Sequence, residues 1–118
     1  MRPKGIGPLE IEVLEVLWES GGWRTPGEVH LVINARREIA YTTAMTALSN
    51  LWKKGLLERR KDGRAYAYHP VQSREERAAT QMSNALHAVS DRPTALANFL
   101  DDLDSDELSQ LRRMLKDR

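Results

Sequence analysis

The sequence predicts a mainly α fold with one small antiparallel β hairpin, organised as an N-terminal module over residues 1–72 and a helical region over residues 73–118. Three observations carry this. Apolar residues recur at helical spacing in three separate segments before Gly55. Two alternating runs then flank Asp62-Gly63, and no glycine follows Gly63, so the rest of the chain reads as helix. With 118 residues there is room for one core and an appended element, but not for two full-size domains.

In PLEIEVLEVLWES, Pro8 suits a first helical turn and Gly21-Gly22 ends the segment. Leu9, Val13, Val16 and Leu17 form its apolar face, and Glu12, Glu15 and Glu19 form an acidic stripe expected to be solvated and turned away from any polyanion. TPGEVHLVINARRE opens with Thr25 as cap, Pro26 in the first turn and Glu28 three residues after the cap, which is a capping box; Val29, Val32 and Ile33 are its apolar residues. YTTAMTALSNLWKKG is a third helix, stopped by Gly55, with Ala44, Ala47, Leu48 and Leu51 at core spacing. Its other side is a row of short hydrogen-bonding groups: Thr42, Thr43, Thr46 and Asn50, followed by Lys53.

LLERRK and RAYAYHP then alternate around Asp62-Gly63, a dipeptide suited to a two-residue type I′ turn. That turn sets Leu57 opposite Tyr68 and Arg59 opposite Tyr66, and leaves Arg60, Lys61 and Arg64 crowding the tip. Tyr66 and Tyr68 are read as packing residues, as are Trp18, Trp23 and Trp52, and His69 as a surface residue. Beyond Pro70, Ser73 and Glu76 form another capping box, with Ala78, Met82, Ala85, Leu86 and Val89 as a stripe. Pro93 marks the next helix, with Leu96, Phe99, Leu100 and Leu103 on one side. A last helix begins near Ser105 and carries Leu108, Leu111 and Leu115. None of these helices can bury its stripe without a partner.

Composition removes several classes of function. With no cysteine, there is no disulfide, thiolate zinc site or cysteine nucleophile, and His30, His69 and His87 lack metal-ligand spacing. GxSxG, P-loop and HExxH motifs are missing, and the acids of DDLDSDE fit helix starts. No catalytic residue, metal or cofactor is therefore expected. The apolar runs are short, and MRPKGIGPLE holds no signal-peptide core, so a cytoplasmic protein without a membrane partner is expected. The net charge of +1 conceals an asymmetry: residues 34–72 carry eight Lys/Arg against three acids, a balance of +5, and residues 73–118 carry seven against nine, a balance of −2. One part is suited to a polyanion and the other to a different task.

Three short helices followed by a hairpin with a basic tip is the order of a winged helix-turn-helix, in which the third helix enters the major groove and the hairpin lies along the neighbouring backbone or minor groove. Thr42, Thr43, Thr46 and Asn50 are the candidates for base contact, with Met45 at the edge of that face. Lys53, Lys54, Arg59, Arg60, Lys61 and Arg64 are the candidates for backbone contact. A protein-interaction module, working through the acidic stripe and the C-terminal helices, is the alternative that these residues leave open.

IAYTTAMTALSNLWKKGLLERRKDGRAYAYHPV resembles the third helix and wing of the penicillinase-repressor family, the BlaI/MecI/CopY type of winged-helix repressors. LEIEVLEVLW and FLDDLDSDELSQLRRML are similar to that family's first helix and C-terminal dimerisation helix, so the resemblance spans residues 9–115. It implies a homodimer that binds an inverted-repeat operator in double-stranded DNA and blocks transcription, with C-terminal helices interlocking between protomers. Met82, Leu86, Leu96, Phe99, Leu100, Leu108, Leu111 and Leu115 are then the candidates for the dimer core. In the β-lactam-responsive branch induction follows proteolysis at an Asn-Phe bond; Asn98-Phe99 resembles that bond and implies a sensor protease as a further partner. Two positions depart from the family pattern: Asn50 stands where Arg is frequent, and Ala44 where a larger β-branched residue is frequent. The copper-responsive branch carries a C-terminal cysteine motif, and a chain without cysteine cannot sense copper by that route.

Overall fold

A computed structural model describes residues 5–118. The first four residues, which belong to the N-terminal stretch read for a signal core, lie outside the described residues. Helix α1 (Pro8–Ser20) starts with the Gly7 N–H donating to the Glu10 carboxylate at 2.9 Å and stops at Gly21, whose φ of 64° is left-handed. Helix α2 (Pro26–Asn34) carries the expected capping box: the Glu28 N–H donates to Thr25 Oγ1 at 3.3 Å and the Thr25 N–H to Glu28 Oε1 at 3.0 Å. Helix α3 (Tyr41–Lys53) ends in a Schellman motif, with Gly55 at φ 81°, its N–H on the Trp52 carbonyl and the Leu56 N–H on the Leu51 carbonyl, both at 3.0 Å.

The core gathers Val13, Leu14, Val16 and Leu17 of α1, Val29 and Ile33 of α2, Ala47, Leu48 and Leu51 of α3, and Leu57 and Tyr68 of the hairpin. Leu9 packs against it from the side. Val32, expected inside, is 39% exposed; at 100° per residue it sits about 60° round the helix from Val29, at the rim of a short helix.

Strands β1 (Leu57–Asp62) and β2 (Ala65–Pro70) pair antiparallel, but the expected register is corrected by two residues. Leu57 pairs with Pro70, Arg59 with Tyr68 and Lys61 with Tyr66, so Gly63-Arg64, not Asp62-Gly63, forms the two-residue loop. Gly63 has φ 67° and Arg64 has no positive φ, the signature of a type II′ turn with glycine first. The choice of face survives the shift because two residues is one full period of a strand. Arg24 extends the sheet beyond its two named strands: its N–H donates to the Tyr68 carbonyl at 3.0 Å and its carbonyl accepts from the Tyr68 N–H at 2.7 Å.

The chain divides into one compact unit running to Glu76 and a second over Arg77–Arg118. Helix α4 (Arg74–His87) begins in the first; its Ser73-Glu76 capping box is formed, with both hydrogen bonds at 3.0 Å. Helices α5 (Arg92–Asp102) and α6 (Ser105–Lys116) are capped by Asp91 and Asp104, which accept from the Thr94 and Glu107 N–H groups. None of these three helices holds a buried residue. No helix among the described residues is long and apolar enough to cross a membrane.

Candidate nucleic-acid interface

Burial divides α3 cleanly. Ala44, Ala47, Leu48 and Leu51 are at most 4% exposed, while Thr42, Thr43, Met45, Thr46 and Asn50 are all exposed. Thr42, Thr43, Thr46 and Asn50 line an open groove with Gly7, Pro8 and Leu9 at the start of α1. Met45, Thr46 and Asn50 line a second with Ser49, Lys53 and Tyr68. Thr46 and Asn50 belong to both and stand at the middle of the exposed face. Ser49 joins this set although the sequence did not single it out; its place three residues after Thr46 was the available signal.

The entry to α3 is set from α2. Ala40, its N-cap, supplies no side-chain hydrogen bond. Ile39, just before it, is held on both sides: its N–H donates to Asn34 Oδ1 at 3.1 Å, and its carbonyl accepts from His30 Nε2 at 2.8 Å. A carbonyl oxygen can only accept, so His30 carries a proton on Nε2. Tyr41 meets the His30 ring edge-on at 5.9 Å. His30 and Asn34 stand one helical turn apart on α2, at i and i+4 of the sequence.

The six basic candidates are not equivalent. Lys53, Arg60, Lys61 and Arg64 are exposed and Arg59 is half-buried. The Arg59 guanidinium carbon lies 3.5 Å from the centroid of the Trp52 ring and 4.0 Å from that of Tyr66. Arg60, on the opposite face of the hairpin, lies 4.5 Å from the Trp23 ring, which in turn packs against His69 at 5.2 Å. Trp52, read as a packing residue, is 37% exposed and outside the core; its neighbour is a cation. His69, read as a surface residue, is half-buried under Trp23.

Lys54 is set apart from the others. Its Nζ donates to both oxygens of Glu10, at 2.7 and 2.9 Å, and to the Gly5 carbonyl at 2.7 Å, with the two side chains only 20% and 12% exposed. Burial works against the charge on Glu10, but the Gly7 N–H and Lys54 outweigh it and hold the carboxyl below its ordinary value of 4.5. Lys54 therefore ties the end of α3 to the start of α1. The acidic stripe, read as solvated, is also tied down: Arg37 reaches Glu12 at 2.8 Å, Arg74 reaches Glu15 at 2.6 Å and Arg36 reaches Glu19 at 3.7 Å. None of the four ion pairs among the described residues involves Lys53, Arg59, Arg60, Lys61 or Arg64.

In the second unit, Met82, Leu96, Phe99, Leu100 and Leu115 are exposed, and Leu86, Leu108 and Leu111 are half-buried. Met82, Leu86, Leu96 and Phe99 line an apolar groove of 430 Å³. Asn98 is exposed within α5.

Comparison with known proteins covers both units. The sequence profile described as "Penicillinase repressor" matches residues 6–117. The transcriptional regulator BlaI of Mycobacterium tuberculosis is 41% identical over 113 residues, covering 93% of this chain and 82% of that protein. The solution structure of the DNA-binding domain of the repressor BlaI superposes with a TM-score of 0.56 at 28% identity, over 64% of this chain and 90% of that one. The Bacillus licheniformis BlaI monomeric form, solved in complex with the blaP half-operator, gives a TM-score of 0.50 at 29% identity over the same shares.

Proposed function

The chain belongs to the penicillinase repressor family, and from that premise we propose that it is a DNA-binding transcriptional repressor whose α3 reads bases while its wing holds the backbone. One observation carries this: an exposed Thr/Asn face on α3, followed at once by a hairpin whose cations enter none of the four ion pairs among the described residues. Thr42, Thr43, Thr46 and Asn50 are short enough to meet base edges, threonine methyls suit thymine methyls, and Asn50 can pair with adenine through two hydrogen bonds. Met45 adds an apolar contact at the rim. Lys53, Arg60, Lys61 and Arg64 supply affinity that does not depend on sequence, and Lys54, engaged with Glu10, supplies little.

The operator is an inverted repeat and the repressor a homodimer closed through α4, α5 and α6, because those helices bury none of their own apolar residues. The Asn98-Phe99 bond is the candidate cleavage point for a sensor protease. It lies within α5, so the helix must open before an extended substrate can be presented. Incubation with such a protease under inducing conditions and sequencing of the fragments tests this, and an intact bond removes it.

The central test is a titration of selected and random duplexes over a range of salt. Each phosphate contact steepens the log–log salt dependence by about 0.9, so a wing with several free cations gives a steep slope, and selected sequences bind well above random ones. A flat slope would remove the electrostatic part of the reading. Co-sedimentation that ignores DNA altogether would favour a protein-interaction module.

A further inference from the structure

We propose that Arg59 is a positioning residue for DNA binding, fastening the wing to the last turn of the reading helix by lying over Trp52 and Tyr66. This rests on the DNA-binding reading of α3 and the wing. The inner face of the hairpin is anchored only at its base, where Leu57, Tyr68 and Pro70 are buried. Towards the tip, Arg59 and Tyr66 continue that face half-buried and Lys61 is exposed, its Nζ 5.0 Å from the Tyr66 ring centroid. Arg24 pairs with Tyr68 near the base, and Ala67 with Arg60 over the Trp23 ring covers the opposite face, so the inner face of the outer half is where a further hold is needed.

Arg59 supplies it. Its guanidinium carbon is 3.5 Å from the Trp52 ring of α3 and 4.0 Å from the Tyr66 ring of β2, so one side chain joins β1 to both its neighbours. Trp52 adds nothing to the core. Its half-exposed indole is accounted for by this contact. Arginine suits the position because its planar, weakly hydrated cation can lie flat on aromatic faces, whereas the compact ammonium of lysine keeps its water. With the wing held, the spacing between Thr46 and Asn50 on α3 and Lys61 and Arg64 at the hairpin tip is set before DNA arrives, and less order is lost on binding.

The test uses the full chain and the variants Arg59→Lys, Arg59→Ala, Trp52→Ala and Arg64→Ala. Operator and random-duplex affinities are measured across salt, and amide hydrogen exchange is followed over Leu57–Pro70 in the free protein. Arg59→Lys and Trp52→Ala should each weaken operator binding about fivefold, as expected for a cation–π contact near the surface. Random DNA should change much less, the salt slope should not change, and hairpin amides should exchange faster while those of α1 and α2 do not. Arg64→Ala should instead lower the slope by about one unit and weaken both DNAs alike. The proposal is overturned if Arg59→Lys and Trp52→Ala behave as the parent, or if Arg59→Ala lowers the slope as Arg64→Ala does. If the parent binds no DNA the functional reading fails by itself, and hairpin exchange still decides the fastening: unchanged protection in Arg59→Lys sinks it.

Discussion

Thr46 is the residue on which base readout should turn, because it lines both grooves of the exposed α3 face. Thr46→Ala should cost about 1–3 kcal/mol at the contacted base pair alone. Binding-site selection with the variant reads this as a relaxed preference at one position; a uniform loss on every sequence would assign Thr46 to the scaffold. Glu10 gives a prediction in pH. Its folded-state carboxyl sits below the ordinary 4.5, so the pair with Lys54 contributes its full stability above about 4.5 and loses it as pH falls through the lower folded value. Glu10→Gln should flatten the acid side of the stability–pH curve and, by leaving the half-buried Lys54 ammonium without its counter-charge, cost roughly 1–3 kcal/mol near neutrality. Equal acid limbs for parent and variant, compared by urea unfolding, would contradict this. The α3 faces were legible from residue spacing, since Ala44, Ala47, Leu48 and Leu51 are all buried. The role of Lys54 was not, because its partner lies 44 residues away and periodicity carries no information about such a distance.

Among the elements, the hairpin best separates what local sequence determines from what the fold decides. Asp62-Gly63 located the turn, and the alternation chose the inner face, but the loop centres on Gly63-Arg64. A glycine of positive φ can stand in either central position of a tight turn, and the choice falls to the strands. Here Tyr68 is fixed by its two hydrogen bonds to Arg24, a pairing between distant segments that the dipeptide cannot encode. Gly63, at φ 67°, should not accept a side chain: Gly63→Ala should destabilise the hairpin by about 1–2 kcal/mol through backbone strain. Faster exchange of the wing amides with an unchanged α1 would register it. Helix α3 makes a parallel case, since it lacks a side-chain cap and takes its start from His30 and Asn34. Asn34→Ala should cost about 1 kcal/mol, appearing as fraying of the first turn of α3 in exchange experiments.

For the whole molecule, the unit that reaches Glu76 holds the core, and α4, α5 and α6 hold no buried residue, their apolar side chains being exposed or half-buried. Leu96→Asp, at a side chain 47% exposed in the single chain, should leave the first unit folded yet abolish the dimer proposed here. Sedimentation should then give a monomer, and affinity for a two-half-site operator should fall by about 10²-fold or more as the second half-site stops being effectively intramolecular. A dimer that survives this substitution would place the interface elsewhere. The tethering of Glu10, Glu12, Glu15 and Glu19 to Lys54, Arg37, Arg74 and Arg36 also bears on the moment of encounter. Four anions and four cations pair within the scaffold, and Lys53, Arg59, Arg60, Lys61 and Arg64 outnumber Glu58 and Asp62, the two acids of β1, on a protein whose total charge is only +1. If α3 and the wing bind DNA as proposed, such a molecule is drawn to the duplex weakly as a whole but is turned by it, so that diffusive collisions arrive wing first and the search begins in the binding orientation.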